Sequence, residues 1–268
     1  MRPRQEMPDQ PAFFDGEPPR VIAHRGLASN APENTIEAFR AALNAGADIL
    51  ETDVHASSDG VAVICHDDDL VRMAGSARSV EQLTLAELLA LELTGGGRLA
   101  TLSEALEMLP GARFNIDVKT DAAVEPAVKA IRAAGAEARV LVTAFDQRRR
   151  RRAVKALGAV ATSASTPGVV VSMLGTWLHL GVLVRLALRD VDAVQVPLRQ
   201  GRVAVVSPAF VRAVHNAGRE VHVWTINEPA QMRRLLELGV DGIISDRCDL
   251  LSDTVEAVQK AGAVRKIT

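Results

Sequence analysis

Cysteine is scarce in this chain. The only two, Cys65 and Cys248, lie far apart, and two thiols can build neither a disulfide framework nor a four-sulfur zinc site. A reducing compartment is the simpler expectation. An excess of one charge is also missing: 31 Lys and Arg stand against 33 Asp and Glu, a formal net charge of −2, so no global basic field draws the protein to nucleic acid. Long hydrophobic runs are absent too. The first 20 residues hold five prolines and no apolar stretch that could serve as a signal peptide, and residues 1–19 read as a flexible tail. Residues 168–184 are uncharged and rich in Val and Leu, but a bilayer span needs about 20 such residues. His179, Arg185 and Arg189 argue further against one. The expected location is therefore cytoplasmic, with the apolar stretch leaving room for a weak membrane or lipid contact. The glycine-rich dinucleotide fingerprint is lacking as well. HRGLASNAPENT follows the first strand candidate, which weakens the case for a doubly wound open sheet.

What the chain does contain is enough apolar sequence for a sizeable core, 48% of 268 residues. Short β-branched runs at residues 20–23, 48–54, 113–118, 139–144, 159–162, 193–196, 220–224 and 242–245 alternate with helix-patterned stretches. Those stretches cover residues 34–45, 102–109, 121–134, 147–157, 208–217, 229–238 and 249–261. Strand and helix in eightfold alternation predict an α/β fold, a (β/α)8 TIM barrel spanning residues 20–268, and about 250 residues is the usual size of that fold. Two segments break the rhythm. Residues 60–67 read as a hairpin added after the second strand, and residues 68–100, with Gly95, Gly96 and Gly97, read as a small inserted subdomain over the barrel mouth. The five consecutive arginines at 148–152 read as a solvated helix face, with a membrane-surface or phosphate-binding role as the alternative.

Barrel enzymes carry their chemistry at the C-terminal ends of the strands. In this chain His24 and Arg25 end the first strand, Glu51 and Asp53 the second, His66 and Asp67 the hairpin, and Asp117 and Lys119 the third. A spacing of two puts Glu51 with Asp53, and Asp117 with Lys119, on one face of each strand. Three carboxylates converging in a poorly hydrated place need a compensating positive species. Oxygen donors without a zinc-type Cys or His repeat favour one hard divalent cation, Ca2+ or Mg2+. His24 and His66 are then available for proton transfer, their unperturbed pKa lying near 6.5. Arg25 and Lys119 supply positive charge for an anionic substrate group. Trp224 ends the seventh strand, where it either packs in the core or lines the site.

Taken in order, AHRG, APENTIEAF, GADILETDVHASSDGVAVICHDDDLVR, FNIDVK and VHVWTINEPAQMRRLLELGVDGIISDR resemble the glycerophosphodiester phosphodiesterase family, from about residue 21 to residue 251. The resemblance implies a TIM barrel with a small inserted domain, and metal-dependent hydrolysis of glycerophosphodiesters to sn-glycerol 3-phosphate and an alcohol. It implies His24 and His66 as the acid/base pair. Glu51, Asp53 and Asp117 would hold the metal, Arg25 and Lys119 the phosphate, and Trp224 would pack against the glycerol. Glu33, Asn34 and Asp67 would support these groups. One departure is Asp117, which stands where the family has Glu; the shorter side chain is read as tuning metal choice or affinity. Two other readings remain at this point: a phospholipase D-type activity on lysophospholipids with residues 169–188 as a lip, a stretch whose plainer reading is a barrel helix with an apolar packing face, and a non-catalytic barrel that binds a phosphate ester. The expected partner is a small-molecule glycerophosphodiester, and the chain is a monomer or a homodimer.

Overall fold

The computed structural model describes residues 11–267. Eight parallel strands build the barrel: β1 (Arg20–His24), β2 (Ile49–Ala56), β3 (Arg113–Val118), β4 (Val140–Thr143), β5 (Ala161–Thr162), β6 (Ala193–Pro197), β7 (Glu220–Trp224) and β8 (Gly242–Ser245). Hydrogen-bonded pairing runs continuously from β6 through β7, β8, β1, β2, β3 and β4 to β5. A single bridge from Ser163 to Ala193 joins the remaining edges. The sheet is thus a nearly closed (β/α)8 barrel, as the alternation predicted.

Around it lie α1 (Ile36–Asn44), α2 (Leu102–Met108), α3 (Val124–Ala133), α4 (Gln147–Leu157), α5 (Thr166–Trp177), α6 (Gly181–Ala187), α7 (Pro208–Asn216), α8 (Pro229–Leu238) and α9 (Cys248–Ile267). Four of these helices begin where a side-chain oxygen accepts an otherwise orphaned backbone N–H. Thr35 caps α1, Thr101 caps α2, Asp146 caps α4 and Ser207 caps α7. Gly26 must be glycine, because its φ is +84° and an added Cβ would lie 2.7 Å from the Ala38 backbone. That close approach fixes α1 against the end of β1.

The hairpin after the second strand is present: residues Ala62–Ile64 pair antiparallel with the far half of β2, Val54 opposite Ile64. The same short strand pairs with Ala100–Thr101, which returns the chain to α2. Between them, Leu70, Met73, Val80, Leu83, Leu88 and Leu93 bury one another in a cluster separate from the main core.

Three sequence expectations need correction. Residues 1–10 of the expected tail lie outside the described residues, but residues 12–19 are not loose. Phe13 and Phe14 are buried among Ile22, Ile49, Leu141, Ala161, Ala193 and Ile244, closing the bottom of the barrel. Prolines suggested an unstructured run, but two adjacent phenylalanines recover enough buried apolar area to order it. The arginine run is not a uniformly solvated face, since Arg150 is buried and bonded to Asp190 and Thr162. The apolar stretch forms not one barrel helix but two, α5 and α6: Val169, Met173, Val184 and Leu188 pack on the core, while Leu174, Trp177, Leu178, Leu180, Val182 and Leu186 stay exposed.

Beneath the apolar layer, Arg20 donates two hydrogen bonds to Glu220, at 2.8 and 2.9 Å, and a third to the Phe14 carbonyl. His222 Nε2 donates to the same carboxylate at 3.0 Å. Burial raises the Glu220 pKa, but His222 and Arg20 more than offset it, and the carboxyl is held down at about 2. The stabilisation is therefore present above the ordinary value near 4.5 and is lost as pH falls toward 2. Replacing Arg20 with Met should cost about 3–5 kcal/mol at neutral pH by leaving a buried charge underpaired. The loss of stability between pH 4.5 and 2 should be shallower in this variant than in the parent; thermal melts across that range check both statements.

Candidate active site

Strand register builds the site. His24 lies beside Glu51 across β1 and β2, and Glu51 beside Asn115 across β2 and β3. One layer further out, Asp53 lies beside Asp117, and Asp117 beside Thr143. A cavity of about 480 Å³ opens over these layers, lined by every one of the strand-end residues read from the sequence except Asp67, and closed on one side by Phe145, Val169, Met173 and Trp224. His24, Arg25, Glu51, Asp53, His66, Asp117, Lys119 and Trp224 are thus brought together at one opening. Glu33, Asn34 and Asp67 stand just behind it.

The two histidines are held alike. His24 Nδ1 lies 2.6 Å from Asp246 Oδ1, and His66 Nδ1 lies 2.6 Å from Asp67 Oδ1. A carboxylate can only accept, so each Nδ1 carries the proton and each Nε2 is the nitrogen left for chemistry. Burial lowers the His24 pKa, yet the bond to Asp246 and the charge of Glu51 more than offset it, and the net shift is upward. Asp246 is in turn fixed by Asn227, whose Nδ2 donates to Oδ2 at 2.7 Å.

Charges behind the cavity form a chain of alternating sign. Asp67 accepts from Arg72 Nε at 2.7 Å, Arg72 also donates to Glu33 at 2.7 Å, and Glu33 accepts from Arg25 at 3.0 Å. Arg25 Nε stands 3.2 Å from Asp53 Oδ2 without hydrogen-bond alignment. Lys119 Nζ then bridges Asp53 and Asp117 at 2.7 and 2.8 Å. Asn34, at φ +60°, donates to Asp53 at 3.3 Å and accepts from Thr52. Arg25 is also left-handed, at φ +57°, a conformation uncommon outside glycine. In it the Arg25 backbone N–H reaches both the Glu51 carbonyl and its carboxylate.

Compensation is uneven across the three carboxylates. Burial opposes ionisation of Asp53, but Lys119 and Arg25 hold its pKa below the ordinary range. Asp117 is raised by burial in spite of Lys119. Glu51 is pushed up to about 8 by burial and by the neighbouring charge of Asp53. Asp117 Oδ1 and Asn115 Oδ1 are buried with no hydrogen-bond partner. Among the described residues, no three carboxylate, imidazole or thiolate groups already stand as a metal-binding cluster; Lys119 instead bridges Asp53 and Asp117. The donor chemistry still fits a hard divalent cation. Glu51 is a carboxylate short of positive charge, and the two unpartnered oxygens are the kind such an ion takes.

Sequence reasoning missed Asp246, Asn227, Arg72 and Asn115. Asp246 was within reach, for it directly follows the last residue of β8 and obeys the strand-end rule applied to the others. Asn115 precedes Asp117 by two on the same inward face. Arg72 and Asn227 carry no such signal, since their partners are distant in sequence.

A TIM barrel with paired histidines over carboxylates and two cations is a site for an anionic ester. The model of the glycerophosphoryl diester phosphodiesterase family matches residues 24–250. The chain is 43% identical over 239 residues to the "probable glycerophosphodiester phosphodiesterase 2" of Mycobacterium tuberculosis, covering 88% of this chain and 90% of that protein. It is 30% identical over 262 residues to a glycerophosphodiester phosphodiesterase of Caldanaerobacter subterraneus, covering 90% and 98%. Among solved structures, a phosphodiesterase of Oleispira antarctica in complex with the product sn-glycerol-3-phosphate superimposes with a TM-score of 0.74 at 25% identity, covering 89% of this chain and 97% of that one. The chain belongs to the glycerophosphodiester phosphodiesterase family and is an enzyme of that class.

The His24–Asp246 pair yields a direct test. Replacing Asp246 with Asn removes one of the causes that raise the imidazole pKa, so His24 should titrate at lower pH in Asp246→Asn than in the parent. NMR titration of the ring protons measures it; an unchanged or higher value would refute the role given to Asp246.

Proposed function

We propose that this enzyme uses one divalent cation, calcium or magnesium, to hydrolyse glycerophosphodiesters to sn-glycerol 3-phosphate and the corresponding alcohol. The observation that carries the reading is the pair of imidazoles lining one cavity, each with Nδ1 held by a carboxylate so that Nε2 is the nitrogen available for proton transfer. The product bound in the Oleispira antarctica phosphodiesterase supports the same substrate class.

Glu51, Asp53 and Asp117 are the residues that would hold the cation. When bound, it neutralises phosphodiester charge and polarises the phosphorus toward attack. Lys119 and Arg25 supply the positive charge that holds the non-bridging oxygens of the phosphodiester. One imidazole takes the proton of the attacking hydroxyl. The bond from phosphorus to the head-group oxygen breaks, and the other imidazole supplies the proton that turns the departing alkoxide into an alcohol. The attacking oxygen is water's or, by way of a cyclic phosphate that water then opens, the glycerol 2-hydroxyl. Both routes consume one water and end in the same products. Trp224, stacked edge-on against Phe145 with ring centroids 6.2 Å apart, offers a flat apolar wall to the glycerol carbons. Apolar side chains of α5 on the cavity wall, Val169, Val170 and Met173, favour lysophospholipids as a second substrate class.

Metal-stripped protein should release no glycerol 3-phosphate from glycerophosphocholine, and calcium or magnesium should restore release. Activity that persists undiminished without either ion would remove the cation from the scheme. Asp117→Asn should raise the ion concentration needed for half-maximal rate.

His24→Ala and His66→Ala should each lower kcat by about 10²–10⁴, the usual contribution of a positioned acid or base. Near-parental turnover in either variant would exclude that imidazole. Assayed beside glycerophosphocholine, lysophosphatidylcholine should be cleaved if the apolar wall receives an acyl chain; its rejection would leave the soluble diesters as the substrates.

A further inference from the structure

The helical hairpin of α5 and α6 presents an apolar surface that the barrel does not use. Leu174, Trp177, Leu178, Leu180, Val182 and Leu186 are all exposed, Leu178 and Val182 to 63% and 60%. A hairpin that merely covered the barrel would turn such residues inward. Here the buried positions of α5 are the small residues Ser172 and Gly175. Gly175 lets the two helices pack closely, because an added Cβ would meet Val184 at 2.9 Å. The large side chains are left outside on a rigid support. Contiguous apolar surface of this kind marks an interaction face.

Charge identifies its partner. From Gln147 to Arg189 the chain has no Asp or Glu at all, yet it holds eight cationic residues, Arg148–Arg152, Lys155, Arg185 and Arg189, in a protein whose net charge is −2. Arg185 and Arg189 are exposed on and just after α6, and neither has an ion-pair partner among the described residues. Arg148 and Arg151 share a groove with Thr166 and Pro167 at the start of α5. The ion pair of Arg151 with Asp190, at 3.3 Å, is exposed and therefore weak. An apolar face carrying a tryptophan, bordered by arginines, has the composition of a segment that lies in the boundary of an anionic membrane. A second copy fits poorly. A two-fold interface would set the unpaired cations of this border, Arg185 and Arg189, against their own copies.

Position adds a third observation. Val169, Val170 and Met173 on α5 line the catalytic cavity, while Val170, Leu174 and Trp177 on the same helix are exposed. Apolar surface therefore runs unbroken from the cavity wall to the outer face. We infer that the α5–α6 hairpin docks the enzyme on anionic phospholipid bilayers, with Trp177, Leu178 and Leu180 entering the interface and Arg185 and Arg189 meeting lipid phosphates. The cavity mouth is thereby held beside the lipid surface.

The test is co-sedimentation of the full-length protein with vesicles of phosphatidylcholine alone and of phosphatidylcholine mixed with phosphatidylglycerol. Binding is measured without turnover, so its outcome is independent of the proposed chemistry. Wild-type protein should pellet with the mixed vesicles, less with the neutral ones, and less as salt rises. The Leu178→Glu/Leu180→Glu variant should stay in the supernatant while keeping the parental circular dichroism melt and parental hydrolysis of soluble diesters. Arg185→Glu/Arg189→Glu, which leaves the apolar face intact, should lose the preference for anionic vesicles. The inference is overturned if the wild type ignores both vesicle types, or if both variants pellet as the parent does. It is also overturned if the wild type sediments as a dimer that Leu178→Glu/Leu180→Glu splits, which would make a second copy the occupant.

Discussion

Three carboxylates entering one end of a parallel barrel are the constraint on which the rest of this structure depends. Parallel register leaves them no freedom to separate: Asp53 and Asp117 are direct neighbours across two strands, and Glu51 shares their inward face. Burial at that position disfavours ionisation of all three. The surrounding structure answers with cations on rigid backbone. Lys119 comes from the end of β3, and Arg25 from a left-handed residue at the end of β1. The glycine that follows Arg25 lets α1 press against the turn. The compensation stops short of Glu51, whose pKa is pushed up to about 8 by burial and by the neighbouring charge of Asp53.

The same constraint explains why the supporting residues form a chain. Arg25 cannot serve Asp53 alone, for Glu33 draws it outward, and Glu33 is itself shared with Arg72, which holds Asp67 behind His66. Orientation of the His66 imidazole is thus tied, through alternating charges, to the carboxylates on β2. His24 has a separate support in Asp246, just after β8, and Asn227, after β7. Two imidazoles with independent anchors can hold different protonation states, which a proton taken at one and released at the other requires.

Much of this was legible in the sequence, for physical reasons that also mark the limit. Strands buried on both faces read as apolar runs, and a polar residue interrupting such a run at its C-terminal end, such as Glu51, Asp53 or Asp117, stands out against them. Asp246 obeyed the same rule and could have been read. Arg72 and Asn227 could not, because a loop residue is indistinguishable from a solvated one until the fold brings its partner near. Phe13 and Phe14 were hidden for the opposite reason: their proline-rich surroundings suggested disorder, and only the open bottom of the barrel gives two adjacent phenylalanines somewhere to go.

The apolar stretch after β5 shows how one pattern can carry two meanings. Hydrophobicity normally predicts burial, and a helix that faced the barrel with Val169 and Met173 alone would satisfy that expectation. Here the hydrophobic residues continue around the helix, while the small residues Ser172 and Gly175 take the buried positions. The seam between α5 and α6 therefore needs little side-chain volume, and Leu174, Trp177 and Leu178 are spared for the outside. A chain selected only for barrel stability gains nothing from this arrangement, since exposed leucine and tryptophan contribute little to folding and favour association. The face belongs to what the protein touches, and the cavity wall that it continues into places that contact next to the chemistry.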